Sequence, residues 1–235
     1  MKRKGLFLAL EGGDGAGKSS QATMLAHFLG RGGGKVHTLH FPRLQAAPYG
    51  EMIASYLRGD YGGLDQVDPH LASLLYALDR RDAAKGVQVI LDAGETLIAD
   101  RYFFSNIAYQ CARAADSGKK RQLAEWIEML EYRHHAIPRP DLTLYLDAPL
   151  SFALRNLSKE RSGTDRDYLK GGRDIHEDNR ALQERVREEF LGLARDRIGE
   201  ISVVDCRNES GGIADKAVIH SRILDALRQY GALAT

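Results

Sequence analysis

The segment with the clearest chemical meaning is a glycine-rich loop near the start of the chain. It reads LEGGDGAGKSSQ (10–21), and it joins the apolar run GLFLALE (5–11) to a run with helical spacing. A strand, the pattern GxxxxGK(S/T) and a helix in this order are typical of a loop that binds phosphate groups. The glycines let backbone N–H groups converge on phosphate oxygens, and the dipole of the following helix adds positive potential there.

The polar side chains of this loop predict that the phosphates belong to a nucleoside triphosphate, and we expect ATP. Lys18 can bridge the terminal phosphates, and Ser19 can reach a bound Mg²⁺ ion. The sequence has no NKxD-type element of the kind by which GTPases read guanine, and the chain is too short for a motor ATPase. A small kinase with a separate acceptor site is therefore the favoured class. The expected ATP-binding residues are Gly13, Asp14, Gly15, Ala16, Gly17, Lys18, Ser19 and Ser20.

A second group of polar residues lies in the segment TLIADRYFFSNIAYQ (96–110). Asp100 directly follows an apolar strand, and ligands of open α/β sheets gather at the carboxyl ends of strands. We expect Asp100 to hold Mg²⁺ or its water and Arg101 to neutralise a phosphate in transfer. A salt bridge between the two at the strand end is the alternative. Ser105 and Tyr109 follow one helical turn apart.

A third group lies on a predicted helix that contains LLYALDRRDA (74–83). Tyr76 and Arg80 are four residues apart and so share a face, where they would form a platform for a flat heterocycle with a carbonyl edge. A surface tyrosine that packs against an arginine is the alternative. The opposite face carries a leucine stripe that we expect to face the core: Leu71, Leu74, Leu75 and Leu78.

Two further basic elements could contact phosphate. Arg43 ends the segment FPR (41–43) after the second strand and could grip an acceptor phosphate, or it could be an exposed loop residue. The segment 155–173 holds six basic and three acidic residues together with several glycines. It could form a mobile flap that closes over the reacting phosphates, or a solvated charged loop.

Composition bears on two further questions, the kinds of partner and the cellular compartment. The 33 basic and 32 acidic residues leave a net charge of +1, which provides no general attraction to a nucleic acid polymer or a membrane. The sequence shows no run long enough for a transmembrane helix and no signal peptide. The two cysteines, Cys111 and Cys206, lie far apart, so we expect no disulfide framework and a cytoplasmic protein.

The secondary structure predicted from the sequence alternates strands with helices. This alternation indicates an α/β fold with a parallel sheet that is covered on both faces, in a single domain over 1–235. In one helix, Leu123, Ile127 and Leu130 share a face. The predicted strands are 5–11, 35–41, 96–100, 142–147 and 201–205. The predicted helices are 19–30, 68–84, 120–137, 149–161, 177–196 and 214–230.

Taken together, the segments EGGDGAGKSSQ, FPR, LLYALDRRDA, DRYFFSNIAYQ and PDLTLYLDAP resemble those of thymidylate kinases. The resemblance extends from about Leu6 to the final helix. It implies the P-loop kinase fold with a five-stranded parallel sheet, a lid at about 155–176 and a homodimer. It also implies phosphorylation of dTMP to dTDP by ATP with Mg²⁺, a step of dTTP synthesis.

The resemblance assigns roles to individual residues. Tyr76 stands where the family usually has a phenylalanine that stacks on thymine. Arg80 would donate a hydrogen bond to a thymine carbonyl, and Tyr109 would crowd the sugar 2′ position. The implied dTMP-binding residues are Asp14, Arg43, Tyr76, Arg80, Arg101, Ser105, Asn106 and Tyr109. The implied catalytic residues are Lys18, Asp100, Arg101, Arg161 and Arg166, and the implied metal ligands are Asp14, Ser19 and Asp100.

Two departures from the family pattern affect these assignments. Tyr76 carries a hydroxyl that needs a partner, and Ile175 stands where the lid usually has an arginine, so Arg173 could act instead. Two other functions stay open: a kinase for a deoxynucleoside or another nucleoside monophosphate, and a non-catalytic nucleotide-binding regulator. The presence of Lys18, Asp100 and Arg101 argues against the regulator.

Overall fold

Five parallel strands form the sheet at the centre of the fold. The structure is a computed structural model and describes residues 5–157, 167–171, 174–177 and 179–233. The strands are β1 (Phe7–Glu11), β2 (Val36–His40), β3 (Thr96–Asp100), β4 (Leu142–Asp147) and β5 (Ile201–Asp205). Their order in the sheet is β2-β3-β1-β4-β5. Leu10 of β1 pairs with Asp100 of β3, so these two strands end at the same edge and the loops that follow them meet there.

The sheet is covered on both faces, as the alternating elements predict. The helices are α1 (Lys18–Gly30), α2 (Tyr49–Leu57), α3 (Pro69–Asp92), α4 (Phe103–Cys111), α5 (Ser117–Glu128), α6 (Leu150–Leu157), α7 (Arg180–Asp196) and α8 (Lys216–Tyr230). Residues of β1 alternate between the two faces: Phe7 and Ala9 pack toward α3, α4, α5 and α7. Leu8 and Leu10 pack toward α1 and α8.

α2 and α3 differ from the prediction. α3 begins as predicted, with Asp68 capping it and Pro69 in first position, but it runs to Asp92 instead of about residue 84. It continues because Val87 and Leu91, four residues apart, are both buried under β3. α2 was not predicted from the sequence; it is a short helix that packs on α3.

The expectation that the leucine stripe of α3 faces the core is wrong. Leu71 is 61% exposed, and Leu74, Leu75 and Leu78 are only partly buried. The buried face of α3 carries small and charged residues instead: Ala72, Ser73, Ala77, Asp79 and Arg80. Other helices approach α3 closely on this face, and its charged side chains find partners there.

The helix predicted over 120–137 is divided in the structure. α5 ends at Glu128 and continues as a π-helix, Met129–His134. Leu123 and Ile127 are buried as expected, but Glu131 rather than Leu130 takes the next fully buried position. None of the described helices is long and apolar enough to cross a membrane.

Candidate active site

Most of the predicted site residues line one cavity at the carboxyl edge of the sheet. Its volume is about 540 Å³, within the range of small-molecule sites. The predicted residues that line it are Asp14, Gly15, Gly17, Lys18, Ser19, Ser20, Tyr76, Arg80, Asp100, Arg101, Ser105, Asn106 and Tyr109. Gly13 and Ala16 lie on the inner side of the loop, against β4 and α7. Arg161, Arg166 and Arg173 lie outside the described residues, as does much of the predicted lid.

The glycine-rich loop wraps around the start of α1. Gly15 and Gly17 have φ values of +75° and +90°, in the region that favours glycine. A Cβ at position 15 would collide with the carbonyl oxygen of Ala153 in α6, so this position has no room for a basic side chain. Any cation that supplements the loop must therefore come from another element.

Lys18 is held inside the loop with its ammonium group toward the cavity. Its Nζ donates to the carbonyl oxygens of Gly12 and Gly13 at 3.2 and 2.8 Å. Burial disfavours the charged form and the Arg101 guanidinium adds to this, so the pKa of Lys18 falls from 10.5 to about 8. The ammonium group is thus a weakly solvated cation, which suits it to a phosphate partner.

Ser19 and Asp100 form the oxygen-rich part of the cavity. The Ser19 Oγ donates to Asp100 Oδ2 at 2.6 Å, and His40 Nδ1 lies 3.4 Å from the same oxygen. The other oxygen, Oδ1, is buried and has no hydrogen-bond partner among the described residues. Burial alone would raise the pKa of Asp100, but the hydrogen bond from His40 and the charge of Lys18 hold it well below its usual range.

These two residues fit a magnesium ion. A hydroxyl and a carboxylate with one free oxygen are hard oxygen ligands, and Mg²⁺ in nucleotide enzymes takes one or two such ligands together with phosphates and waters. The described residues contain no cluster of three or more acidic, histidine or cysteine side chains that could hold a metal by themselves. The donor set therefore suits an ion that arrives with a nucleotide.

Arg101 connects the loop to α4. Its φ of +66° turns the side chain back across the sheet edge. Nη1 donates to the Gly12 carbonyl at 2.9 Å and to Ser105 Oγ at 3.1 Å, and Nη2 donates to Asp14 Oδ1 at 2.5 Å. The Tyr109 hydroxyl donates to Asp14 Oδ2 at 2.7 Å.

Both oxygens of Asp14 are therefore occupied. Gln183 Nε2, from α7, donates a further hydrogen bond to Oδ2 at 2.8 Å. Burial alone would raise the pKa of Asp14, but the guanidinium of Arg101 and the ammonium of Lys18 hold it far below its usual range. Asp14 is a fixed carboxylate that orients Arg101 and Tyr109.

Tyr76 and Arg80 line the same cavity from α3, although Arg80 is only 2% exposed. The two side chains share one face, where Arg80 is buried and Tyr76 is partly buried. Arg80 donates to the carboxylate of Glu131 through Nε at 2.5 Å and Nη2 at 2.7 Å. The ring of Tyr76 meets that of Tyr56 edge to face, with centroids 6.4 Å apart.

Arg43 is not among the residues that line the cavity, although its neighbours Phe41, Pro42 and Leu44 are. Its Nε donates to Asp79 Oδ1 at 2.8 Å, and its Nη2 donates to Asp82 Oδ2 at 2.7 Å. The side chain thus lies along α3 behind the cavity wall. Contact between Arg43 and an acceptor phosphate stays a prediction, and it would require the guanidinium to leave these carboxylates.

Several cavity residues were not predicted as site residues. His176 stacks on Tyr109 with ring centroids 5.4 Å apart, and burial lowers its pKa to about 4. Burial and the charge of Asp14 raise the pKa of Asp174, another lining residue, to about 6. Glu131, which does not line the cavity but pairs with Arg80, could have been found from its spacing, because it falls four residues after Ile127 on an otherwise apolar stripe.

The first strand of the parallel sheet leads through a phosphate-binding loop into a helix, and a second polar wall lines the same cavity. These features define a P-loop kinase. A family model described as thymidylate kinase matches residues 10–216. A thymidylate kinase from Leifsonia xyli subsp. xyli is 36% identical, over 82% of this chain and 83% of that protein. One from Clavibacter michiganensis subsp. michiganensis is 34% identical, over 98% of this chain and 99% of that protein.

The similarity extends to an archaeal protein and to a solved structure. A probable thymidylate kinase from Thermococcus gammatolerans is 32% identical, over 87% of this chain and 89% of that protein. The structure of thymidylate kinase from Candida albicans superposes with a TM-score of 0.68 at 24% identity, over 98% of this chain and 94% of that one, which shows the shared fold. The chain belongs to the thymidylate kinase family and is a phosphotransferase.

Proposed function

We propose that this enzyme transfers the γ-phosphoryl group of ATP to the 5′-phosphate of dTMP, with dTDP and ADP as products. The observation that carries the proposal is that the phosphate loop and the wall formed by Tyr76, Arg80 and Asn106 line one shared cavity. Its volume is in the range of small-molecule sites, and its lining combines phosphate-binding residues with an aromatic and amide wall that suits a nucleobase. Membership of the family supports the same substrates.

On the donor side, the backbone of residues 13–20 cradles the phosphates of ATP, and Lys18 bridges the terminal ones. Ser19 and Asp100 hold the magnesium ion, which supplies charge neutralisation at the phosphates when it is bound. Asp14 is the third predicted metal ligand. Because Arg101, Tyr109 and Gln183 occupy its oxygens, we assign it to the acceptor side instead.

On the acceptor side, the base of dTMP stacks on Tyr76 and meets Arg80 and Asn106 with its polar edge. Tyr109, which His176 covers, closes the space at the sugar 2′ carbon. Arg101 and Ser105 reach the acceptor phosphate. Arg43 joins them only after it exchanges its carboxylate partners for the phosphate.

The reaction requires charge neutralisation more than proton transfer. An oxygen of the dTMP phosphate attacks the γ-phosphorus in line, and the bond to the β–γ bridging oxygen breaks, leaving ADP. The attacking oxygen is already anionic at neutral pH, so no strong general base is needed. Lys18, Arg101 and the predicted lid residues Arg161 and Arg166 offset the repulsion between the two phosphates.

We further propose that residues 1–235 form one kinase domain, with the lid at about 155–176, that acts as a cytoplasmic homodimer. The exposed apolar residues on α3 support the dimer. The two free, buried thiols of Cys111 and Cys206 suit a reducing compartment.

Steady-state assays with ATP and four acceptors test the proposal: dTMP, dUMP, thymidine and AMP. We expect dTMP to have the highest kcat/KM. Lys18→Ala should lower kcat by a factor of roughly 100 or more, because it removes a cation from the transferring phosphoryl group. Lys119→Ala, at an exposed position on α5, is the matched control and should keep wild-type activity.

Two results would contradict the assignment. If thymidine outcompetes dTMP as acceptor, the enzyme is a nucleoside kinase. If no acceptor yields ADP, the protein is a nucleotide-binding regulator.

A further inference from the structure

Glu131 carries a fully buried carboxylate. It lies behind the cavity wall of Tyr76, Arg80 and Asn106, to which we assign the base of dTMP. It lies on the π-helix and continues the buried stripe of Leu123 and Ile127. Placing a carboxylate in such a position is costly unless every oxygen is well paired. A hydrophobic side chain would fit the helical pattern better, so the acid requires an explanation from its partners.

The partners of Glu131 are two residues that line the cavity. Arg80 donates to both carboxylate oxygens, Nε to Oε2 at 2.5 Å and Nη2 to Oε1 at 2.7 Å. Asn106 donates to Oε1 through Nδ2 at 2.8 Å, and the same nitrogen donates to the Ser73 carbonyl at 3.1 Å. One carboxylate therefore connects α3 and α4 behind the base-binding wall.

These bonds fix which way the Asn106 amide points. A carboxylate that faces a guanidinium can only accept hydrogen bonds, so the amide must turn its NH₂ group toward Glu131. Its oxygen, Oδ1, then points away; it is buried, and among the described residues nothing donates to it. Asn106 is only 3% exposed and lines the cavity, so this free acceptor is available to a ligand.

The same carboxylate limits which hydrogen-bond donors of Arg80 are free for a ligand. Nε and Nη2 are directed at Glu131, whereas Nη1 has no hydrogen-bond partner among the described residues. Arg80 lines the cavity beside Asn106. Arg80 and Asn106 therefore offer an acceptor, Asn106 Oδ1, beside a donor, Arg80 Nη1.

This pattern is complementary to thymine and opposed to cytosine. Thymine presents a donor at N3 and an acceptor at O4, whereas cytosine presents an acceptor at N3 and a donor at the 4-amino group. We propose that Glu131 is a positioning residue that sets the hydrogen-bonding pattern of the base pocket, so that the thymine edge is accepted and the cytosine edge is refused. The inference rests on the proposed dTMP kinase function.

The π-helix supports a dedicated role for this position. Its widened turn is closed by the His135 N–H, which donates to the Leu130 carbonyl at 2.9 Å, and it directly follows the regular helix α5. π-helical turns are rare in proteins and are frequently found at functional sites. Here the turn contains the one residue that joins Arg80 to Asn106.

The test is the isosteric substitution Glu131→Gln. A glutamine has one carbonyl oxygen and one NH₂ group, so it cannot accept hydrogen bonds at both ends as the carboxylate does. Its NH₂ group must face either Arg80 Nε or the Arg80 Nη2 and Asn106 Nδ2 donors. Either the Asn106 amide turns over or Arg80 loses a hydrogen bond, and both changes damage the pattern. The probes are dTMP and 5-methyl-dCMP, which share the C5 methyl group and differ only at N3 and at the substituent on C4.

The readout is the ratio of kcat/KM for dTMP to kcat/KM for 5-methyl-dCMP. This ratio does not depend on the fraction of folded enzyme, so a stability loss alone cannot change it. We expect Glu131→Gln to lower it by about tenfold or more, mainly through a higher KM for dTMP. Glu128→Gln is the control, because Glu128 pairs with Arg197 and Arg139 instead and its substitution should leave the ratio unchanged.

An unchanged ratio in Glu131→Gln would overturn the inference and leave Glu131 with a purely structural role. If this variant does not fold, neutron diffraction of the wild-type dTMP complex replaces it. Both deuterons on Asn106 Nδ2 should then point to Glu131 and Ser73, and a deuteron directed at the base would overturn the inference. Failure of the proposed function would be a separate result, since the wild-type enzyme itself would then not phosphorylate dTMP.

Discussion

Arg101 shows how much of the site depends on one residue. Its left-handed backbone is unfavourable for an arginine, at a cost of roughly 1–3 kcal/mol, and persists only because surrounding contacts demand it. Those contacts are the Gly12 carbonyl, Ser105 and Asp14. The strain therefore falls on the residue that we propose contacts the acceptor phosphate.

The pKa of Lys18 predicts a pH dependence. Because burial and Arg101 lower this pKa to about 8, the ammonium group loses its proton as the pH rises through that value. The free enzyme then lacks its cation for the terminal phosphates. We expect kcat/KM for ATP to fall above about pH 8, which steady-state kinetics between pH 6.5 and 9.5 would measure, since this parameter reports the free enzyme.

Lys18→Arg is the matched control for this profile. An arginine stays protonated over the whole range, so the decline above about pH 8 should disappear even if the overall rate is lower. A wild-type profile that stays flat to pH 9.5 would contradict the assignment of the decline to Lys18.

At the scale of elements, α4 depends on a residue from β1. Tyr102 precedes the helix, and its side chain makes no capping hydrogen bond. Glu11 at the end of β1 caps the helix instead, because its Oε1 accepts from the backbone N–H groups of Tyr102 and Ser105, each at 3.0 Å. Burial raises the pKa of Glu11 despite these bonds and the neighbouring Arg101. The cap couples the end of β1, which leads into the glycine-rich loop, to the helix that carries Ser105 and Tyr109.

Removing this cap should be costly. Glu11→Ala leaves two buried N–H groups without an acceptor, and we expect the free energy of unfolding to fall by roughly 2–4 kcal/mol in urea titrations. Asp68→Ala removes the exposed cap of α3, which accepts from His70 N, and should cost only about 1 kcal/mol. Equal losses in the two variants would show that Glu11 contributes no more than an ordinary surface cap.

At the scale of the whole molecule, the apolar face of α3 remains exposed in the single chain. Leu71 is 61% and Val89 63% exposed, and these residues lie on the same face because eighteen residues make about five helical turns. Leu78 lies between them on this face and is only partly buried. The face also carries the exposed Asp82 and Lys85. Large exposed apolar side chains beside polar ones suit an interface between subunits.

Leu71→Glu tests whether this face of α3 forms the interface of a homodimer. We expect wild-type protein to sediment as a dimer of the 26.1 kDa chain, and the variant to shift toward monomer because a carboxylate would be buried in the interface. Ile198→Glu, at an 88% exposed position after α7, is the control and should stay dimeric. A Leu71→Glu protein that self-associates as strongly as wild type would place the interface elsewhere.

The parts of this protein that local sequence determines were predicted well. All five strands, the phosphate loop, the cap at Asp68 and the polar residues after β3 follow from hydrophobic periodicity and glycine spacing, which act over a few residues. The order of these segments was enough to indicate the family.

Only the tertiary structure decided which side chains meet. Glu131 is 51 positions from Arg80, and Asp79 is 36 positions from Arg43, so no local pattern pairs them. Likewise, the leucines of α3 match a core-facing stripe, but the neighbouring helices cover the opposite side. The reason is physical: periodicity determines which residues share a face, whereas burial and pairing depend on what packs against that face.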